Sequence, residues 1–262
     1  ARVWGGNKEL KKWLHECIER DHFVGSYFAL GALVQGWSES LDIYKVLLEY
    51  ASSDYNTAKR FAVLELAKNW KNQAETLSAI KELARQEGED SAGRQAAIRT
   101  LAEDWKDEAE TLQIIKEIIV RHLDEGVCSE AVHMLGKFWK DDRDTLDILK
   151  KLSKKSQFPT VRWRAVKGLK RSIQSESELM GLFLDVATND TFIPERDYYV
   201  NPREAALEAL VEYYPEACQT LDILRNCAIN DPDKRLRKWA QKHLEQFKIQ
   251  NVDSRSRVIH EC

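Results

Sequence analysis

Apolar and polar positions along the chain repeat with a helical rather than a strand period. Segments ending at Trp37, Trp70, Trp105 and Trp139 read ALGALVQGW, AVLELAKNW, AIRTLAEDW and AVHMLGKFW, and the same frame continues as AVKGLKRSI to Ile173 and ALEALVEYY to Tyr214. In each, alanine is followed four positions on by leucine and four further on by a large residue. Ala29, Ala62, Ala97, Ala131, Ala165 and Ala206 precede Leu33, Leu66, Leu101, Leu135, Leu169 and Leu210, and a partial copy starts at Ala240 and Leu244. Residues at i, i+4 and i+8 form one stripe of an α-helix, because each step of four turns only about 40° around the axis. The stripe predicts a helix, A, whose small residue lets backbones approach while leucine and tryptophan fill the space between layers.

A second string follows the copies that end at Trp70, Trp105, Trp139, Ile173 and Tyr214: ETLSAIKELA, ETLQIIKEII, DTLDILKKLS, ELMGLFLDVA and QTLDILRNCA. Its apolar residues, Leu77, Ile80 and Leu83 and then Leu112, Ile115 and Ile118, predict the buried face of a helix B. Asn72-x-x-Glu75 and Asp107-x-x-Glu110, with a weaker copy at Asp141-x-x-Asp144, have the form of capping boxes and put the turn between helices just after each tryptophan. Successive column alanines lie 33, 35, 34, 34, 41 and 34 residues apart. A two-helix unit cannot bury its apolar faces alone, so units of this period must stack. The fold expected is all-α: a right-handed α-solenoid of about six helical pairs over residues 1–247, with a polar tail at 248–262. KELKKWLHECIER around Trp13 reads as an unpaired helix B, and the chain, which opens on Ala1, as a piece of a longer protein.

Composition agrees with this reading. Only 11 Gly and 5 Pro in 262 residues are too few turn formers for a sandwich, barrel or doubly wound sheet. A net charge of −3 excludes a strong global positive field. The five scattered cysteines suggest neither a disulfide framework nor a zinc site and point to a reducing cytoplasm. No stretch is apolar enough for a membrane span. The six histidines make no metal motif, and the carboxylate pairs fall at capping positions, so neither a catalytic group nor a cofactor is expected.

The turns between repeats carry acidic or proline residues followed by arginine and the small residue of helix A, as in Asp90 to Ala97 and NDPDKRLRKWAQKHL from Asn230. That chemistry resembles HEAT repeats; the tetratricopeptide W-x2-L-G-x2-Y string is missing. W-K-D-x-x-E-T-L at Trp105–Leu112, its relatives at Trp70 and Trp139, and the run from Asn201 to Leu244 resemble the C-terminal arrays of bacterial, especially cyanobacterial, NACHT-family signalling NTPases. The resemblance implies a cytoplasmic array that recognises a protein or senses a trigger. No G-x-x-x-x-G-K-[ST] string occurs, so this chain is not the nucleotide-binding part.

Two surfaces stand out as candidate binding sites. One cation per helix B, at Lys45, Lys81, Lys116, Lys150 and Arg225, would form a stripe for an acidic segment or a phosphate backbone, on the concave side if helix B lies inside the curve. The other is the insertion behind the 41-residue spacing, DTFIPERDYYVNP, where Phe192, Arg196, Tyr198 and Tyr199 have the composition of an interface hot spot. Residues 150–171 contain nine cations and no acid, after an acidic window, which suggests self-association or, alternatively, a nucleic-acid-binding solenoid. An enzyme such as a HEAT-like lyase or glycosylase would need a convergent pocket, and no pattern in the chain supplies one.

Overall fold

The computed structural model describes residues 7–20, 24–37, 41–52, 56–88, 91–121, 124–172, 178–196 and 199–260. The helices are α1 (Lys8–Arg20), α2 (Val24–Trp37), α3 (Leu41–Ser52), α4 (Asn56–Asn69), α5 (Ala74–Arg85), α6 (Ser91–Asp104) and α7 (Ala109–Arg121). They continue as α8 (Glu125–Phe138), α9 (Arg143–Lys155), α10 (Pro159–Lys170), α11 (Leu179–Asn189), α12 (Pro202–Tyr213), α13 (Cys218–Asn230) and α14 (Lys234–His260). Even-numbered helices carry the A pattern and odd-numbered ones the B pattern. Backbone of α14 runs on through the polar segment to His260 without a break at residue 247.

The chain forms two compact units, residues 1–138 and 139–262. In the first, α2, α4, α6 and α8 stack in order as one layer, and α3, α5 and α7 form the other. The second repeats the arrangement, with α10 on α12 in one layer and α9, α11 and α13 in the other. Each unit is therefore a stack of antiparallel helix pairs, an α-solenoid. All six Ala/Leu column pairs from Ala29/Leu33 to Ala206/Leu210 are buried; Ala240 is buried too and Leu244 half-buried. In the first unit α4, α6 and α8 pack more extensively on one another than α3, α5 and α7 do, as a column of alanines permits.

Four expectations need correction. First, the closest antiparallel partner of each B helix is the A helix that follows it, as in α5 with α6 or α9 with α10, rather than the A helix before the tryptophan turn. A periodic pattern defines its unit only up to a cyclic shift, and packing chose the other frame. Second, the helix-B seam begins one residue earlier than expected, while Ile80, Leu83, Ile115 and Ile118 are buried as the pattern predicts. Thr76, Thr111, Thr145 and Thr220 are fully buried, whereas the leucines after them, Leu77, Leu112, Leu146 and Leu221, are only half-buried. Third, the caps move with the seam. The N-caps of α5 and α9 are Gln73 and Asp142, not Asn72 and Asp141, and Asp142 Oδ1 accepts from Thr145 N at 3.0 Å and Thr145 Oγ1 at 3.1 Å.

Fourth, Trp37, Trp70, Trp105 and Trp139 are half-buried rather than core. They sit at the ends of the A helices, where the chain leaves the packed layer. Trp70, Trp105 and Trp139 open a recurrent turn in which the amide of the third residue on (Gln73, Glu108 or Asp142) donates to the tryptophan carbonyl at 3.1–3.2 Å, and Tyr214 does the same with Ala217. The turn itself stands where the spacing put it.

Candidate functional site

Two of the five helix-B cations, Lys81 and Arg225, stand in ion pairs. Lys81 Nζ donates to Glu110 Oε2 at 2.7 Å, while Arg85 donates to Glu110 Oε1 at 2.8 Å and to Glu117 Oε2 at 3.3 Å. Hydrogen bonds from Lys81 and then Arg85 hold the Glu110 carboxyl below its ordinary range. Lys116 and Lys150, both half-buried, are also engaged. Arg225 is exposed and pairs with Asp222 of its own helix at 3.1 Å; Lys45 is exposed on α3. Lys45, Lys81 and Lys116 belong to the first unit, and Lys150 and Arg225 to the second.

The basic window is paired in the same way, one repeat ahead. Lys154 meets Asp185 at 2.5 Å, Arg162 grips Asp190 through Nε at 2.5 Å and Nη2 at 3.0 Å, Lys167 meets Glu208, and Lys170 meets Glu212. Arg164 and Lys167 also lie over the Trp163 ring, at 5.0 and 5.7 Å. Lys151, Lys155 and Arg171 remain exposed. In the first unit Lys71–Asp104 and Arg99–Glu130 follow the same rule at 2.9 and 2.7 Å, and Lys137 pairs one repeat back with Glu103 at 3.1 Å. Stacking brings residues 28 to 42 positions apart into contact, so a window that looks basic along the sequence has four of its nine cations matched by carboxylates in space.

The insertion is held at its base by a residue that sequence reasoning passed over. Arg203, in the first turn of α12 and 3% exposed, donates from Nε and Nη2 to the two carboxylate oxygens of Asp231, each at 3.0 Å. Its Nη1 donates to the carbonyls of Asp190 and Phe192, both at 2.7 Å. Two charged groups removed from water are tolerable only with such a complete set of partners. Beside the clamp, buried Asn201 caps α12 by accepting from Arg203 N at 3.0 Å, and its Nδ2 donates to Asp233 Oδ2 at 3.0 Å. Burial pushes the Asp233 carboxyl up, but hydrogen bonds from Asn201 and Arg235 outweigh it and leave the group below its ordinary range.

A signal for the clamp was present: Arg94, Arg162, Arg203 and Arg237 each stand three residues before a column alanine. Arg162 Nη1 donates to Ser156 O at 2.8 Å, and Arg237 Nη1 to Asp231 O. Arg162, Arg203 and Arg237 thus tie down the end of the preceding helix B. Arg94 is buried with its Nε lacking a hydrogen-bond partner. The residue 28 positions on, where Arg162 and Arg203 find an aspartate, is His122, outside the described residues.

Of the insertion residues named from sequence, Phe192 is half-buried with its backbone amide on Asp190 Oδ1 at 3.0 Å, and Arg196 and Tyr199 are exposed. Tyr198 lies outside the described residues. Ile193 adds an exposed apolar side chain, 52% accessible. Next to the loop base a groove of about 380 Å³ opens between the C-terminal halves of α11 and α13. Ala187, Ile223, Cys227 and Pro232 give it apolar walls, and Thr188, Asn189, Asn226 and Asn230 face it as uncharged polar groups. Burial foremost pushes the Cys227 thiol up to about 12, so it is not a nucleophile at neutral pH. Among the described residues no group of three His, Cys, Asp or Glu side chains is placed to hold a metal ion, and no helix is long and apolar enough to cross a membrane.

Comparison with known proteins bears on the array itself. Neither the curated proteins nor the solved structures contain a match to the chain. Residues 77–170, from the first turn of α5 to the end of α10, match the family model of HEAT repeats, in keeping with the stacked helix pairs found there.

Proposed function

We propose that the chain is a non-catalytic recognition scaffold that binds a protein or peptide partner. The observation that carries this reading is the insertion: a segment clamped at its base by a buried, fully bonded Arg203, yet presenting Ile193, Arg196 and Tyr199 outward. Clamping lowers the entropy lost when such side chains engage a partner, and aromatic and arginine groups are those that dominate interface energetics. The resemblance of the W-K-D-x-x-E-T-L strings to NACHT-family arrays extends the proposal to trigger sensing within a longer signalling protein. Lys45, Lys81 and Lys116 in the first unit, and Lys150 and Arg225 in the second, remain proposed contact residues, of which Lys81 and Arg225 would act by exchanging ion pairs. The same exchange weakens the nucleic-acid alternative, because Lys154, Arg162, Lys167 and Lys170 already face carboxylates.

Photo-crosslinking tests this reading. A benzophenone amino acid placed at Ile193 and expressed in the native host should yield a defined protein adduct by mass spectrometry. A Tyr199→Ser companion change should reduce its yield at least tenfold, and a probe at Val120, exposed on α7, should not give it. Equal labelling from both positions would remove the loop from the interface.

A further inference from the structure

The B helices share a frame in which Arg85, Lys154 and Thr188 are equivalent, as are Glu117, Asp185 and Asn226, and also Arg121, Asn189 and Asn230. Between α5 and α7 these positions close the seam with charge: Arg85 Nε meets Glu117 Oε2 at 3.3 Å, and Arg121 Nη1 donates to Arg85 O at 3.2 Å. Between α9 and α11, Lys154 meets Asp185 at 2.5 Å. Between α11 and α13 the same positions hold Thr188, Asn226 and Asn230, all short and uncharged, and there the 380 Å³ groove opens. The cavity occupies the place that a cationic side chain fills between α5 and α7 and between α9 and α11.

What faces the cavity is mostly hydrogen-bond acceptor. The final carbonyls of α11, at Ala187, Thr188 and Asn189, have no partner in their own helix, and the ends of α11 and α13 both carry the negative pole of a helix dipole. Asn189 donates its Nδ2 to Asp185 at 2.7 Å and Asn230 its Nδ2 to Asn226 Oδ1 at 2.8 Å, which leaves the Oδ1 atoms of Asn189 and Asn230 as acceptors. The acids in the wall, Asp190 and Asp231, are already matched by Arg162 and Arg203, so Arg203 is not free to draw in an anion. A guanidinium is also the group with which this fold ties down ends of its B helices, from Arg121, Arg162, Arg203 and Arg237.

We propose that this groove is a subsite for one arginine side chain of a bound protein segment. Its guanidinium sits against the end of α11 and the Asn189 and Asn230 amides, and its stem lies along Ile223, Ala187 and Pro232. The volume, near the lower end for ligand pockets, suits one long side chain rather than a folded element. A cation with an apolar stem matches walls of this mixed kind. The inference rests on the reading of the chain as a protein-binding scaffold and adds what its ligand must carry.

The test is a titration of the ¹⁵N-labelled full chain with the peptide acetyl-Gly-Ser-Arg-Ser-Gly-amide, against the same peptide with citrulline, the uncharged isostere, in place of arginine. The arginine peptide should shift the side-chain amide signals of Asn189, Asn226 and Asn230 saturably, and the citrulline peptide should bind at least tenfold more weakly. Thr188→Lys, which supplies the missing cation from within, should weaken the arginine peptide at least tenfold, whereas Asn226→Asp should tighten it several-fold. Equal response to both peptides, or unchanged affinity in the Thr188→Lys chain, would overturn the subsite. A flat titration beside an intact Ile193 adduct defeats the subsite alone; a positive titration without any adduct defeats the loop as the partner's contact and leaves the subsite standing.

Discussion

At the scale of single residues, buried Arg203 makes four hydrogen bonds that join the base of the insertion to Asp231. Truncating one partner of a buried ion pair strands the other, so Arg203→Ala should cost about 3–5 kcal/mol in denaturant unfolding. Arg203→Lys should recover only part of that, because an ammonium cannot make the two parallel bonds to Asp231 and still reach two carbonyls. A loss below about 0.5 kcal/mol, as expected at an ordinary surface site, would reject the clamp. Trp105 behaves differently. Half-buried, with Lys71 Nζ 5.5 Å from its ring, it should lose about 1–2 kcal/mol on change to alanine, against about 3–5 for a core aromatic. The cysteines give a third readout. Cys128 and Cys227 are buried, and burial pushes both thiols up to about 12, whereas Cys218 is exposed. At pH 8 iodoacetamide should modify Cys218 and leave the other two intact, as peptide mapping would report.

Among the elements, the B helices differ chiefly in how they begin. Asp142 satisfies both the amide and the hydroxyl of Thr145, and Thr220 Oγ1 donates to Tyr214 O at 2.8 Å. By contrast Gln73 offers α5 no side-chain cap, and the buried hydroxyls of Thr76 and Thr111 have no hydrogen-bond partner. Buried hydroxyls in that state cost free energy, and an N-cap aspartate is worth about 0.5–2 kcal/mol over a residue that does not cap. Gln73→Asp should therefore stabilise the first unit within that range in a denaturant titration. A neutral or destabilising result would mean that the Asp142 geometry does not transfer between repeats. Leu179 stands in this frame where α5, α7, α9 and α13 have threonine and is fully buried, so the seam accepts an apolar residue there.

For the molecule as a whole, the many pairs between repeats set the response to acid. Glu110, Asp185 and Glu212 are held below the ordinary carboxylate range by hydrogen bonds from Lys81 and Arg85, from Lys154 and from Lys170, and Asp233 is also low despite its burial. A carboxylate lowered in the folded state stabilises it above the unfolded pKa and loses that contribution as pH falls through the folded value. Glu204 opposes them: burial and then Glu208 raise it, so its protonation favours folding. With four groups against one, the thermal midpoint should fall from about pH 5 to about pH 3 in circular dichroism melts. A flat or rising profile would show that these pairs contribute nothing net, as exposed salt bridges often do.

The amino-acid sequence by itself determined that the chain is helical, that its unit recurs about every 34 residues, and that the Ala29/Leu33 to Ala206/Leu210 columns face inward. It could do so because rotation per residue in a helix is fixed, so spacing alone says which side chains share a face. Only the tertiary structure decided which cation meets which acid, that the seam runs through Thr76 rather than Leu77, that Arg203 holds the insertion, and that a groove opens at Thr188 and Asn226. Those outcomes depend on the stagger between stacked helices, which brings together residues far apart along the chain and which no local spacing rule sets.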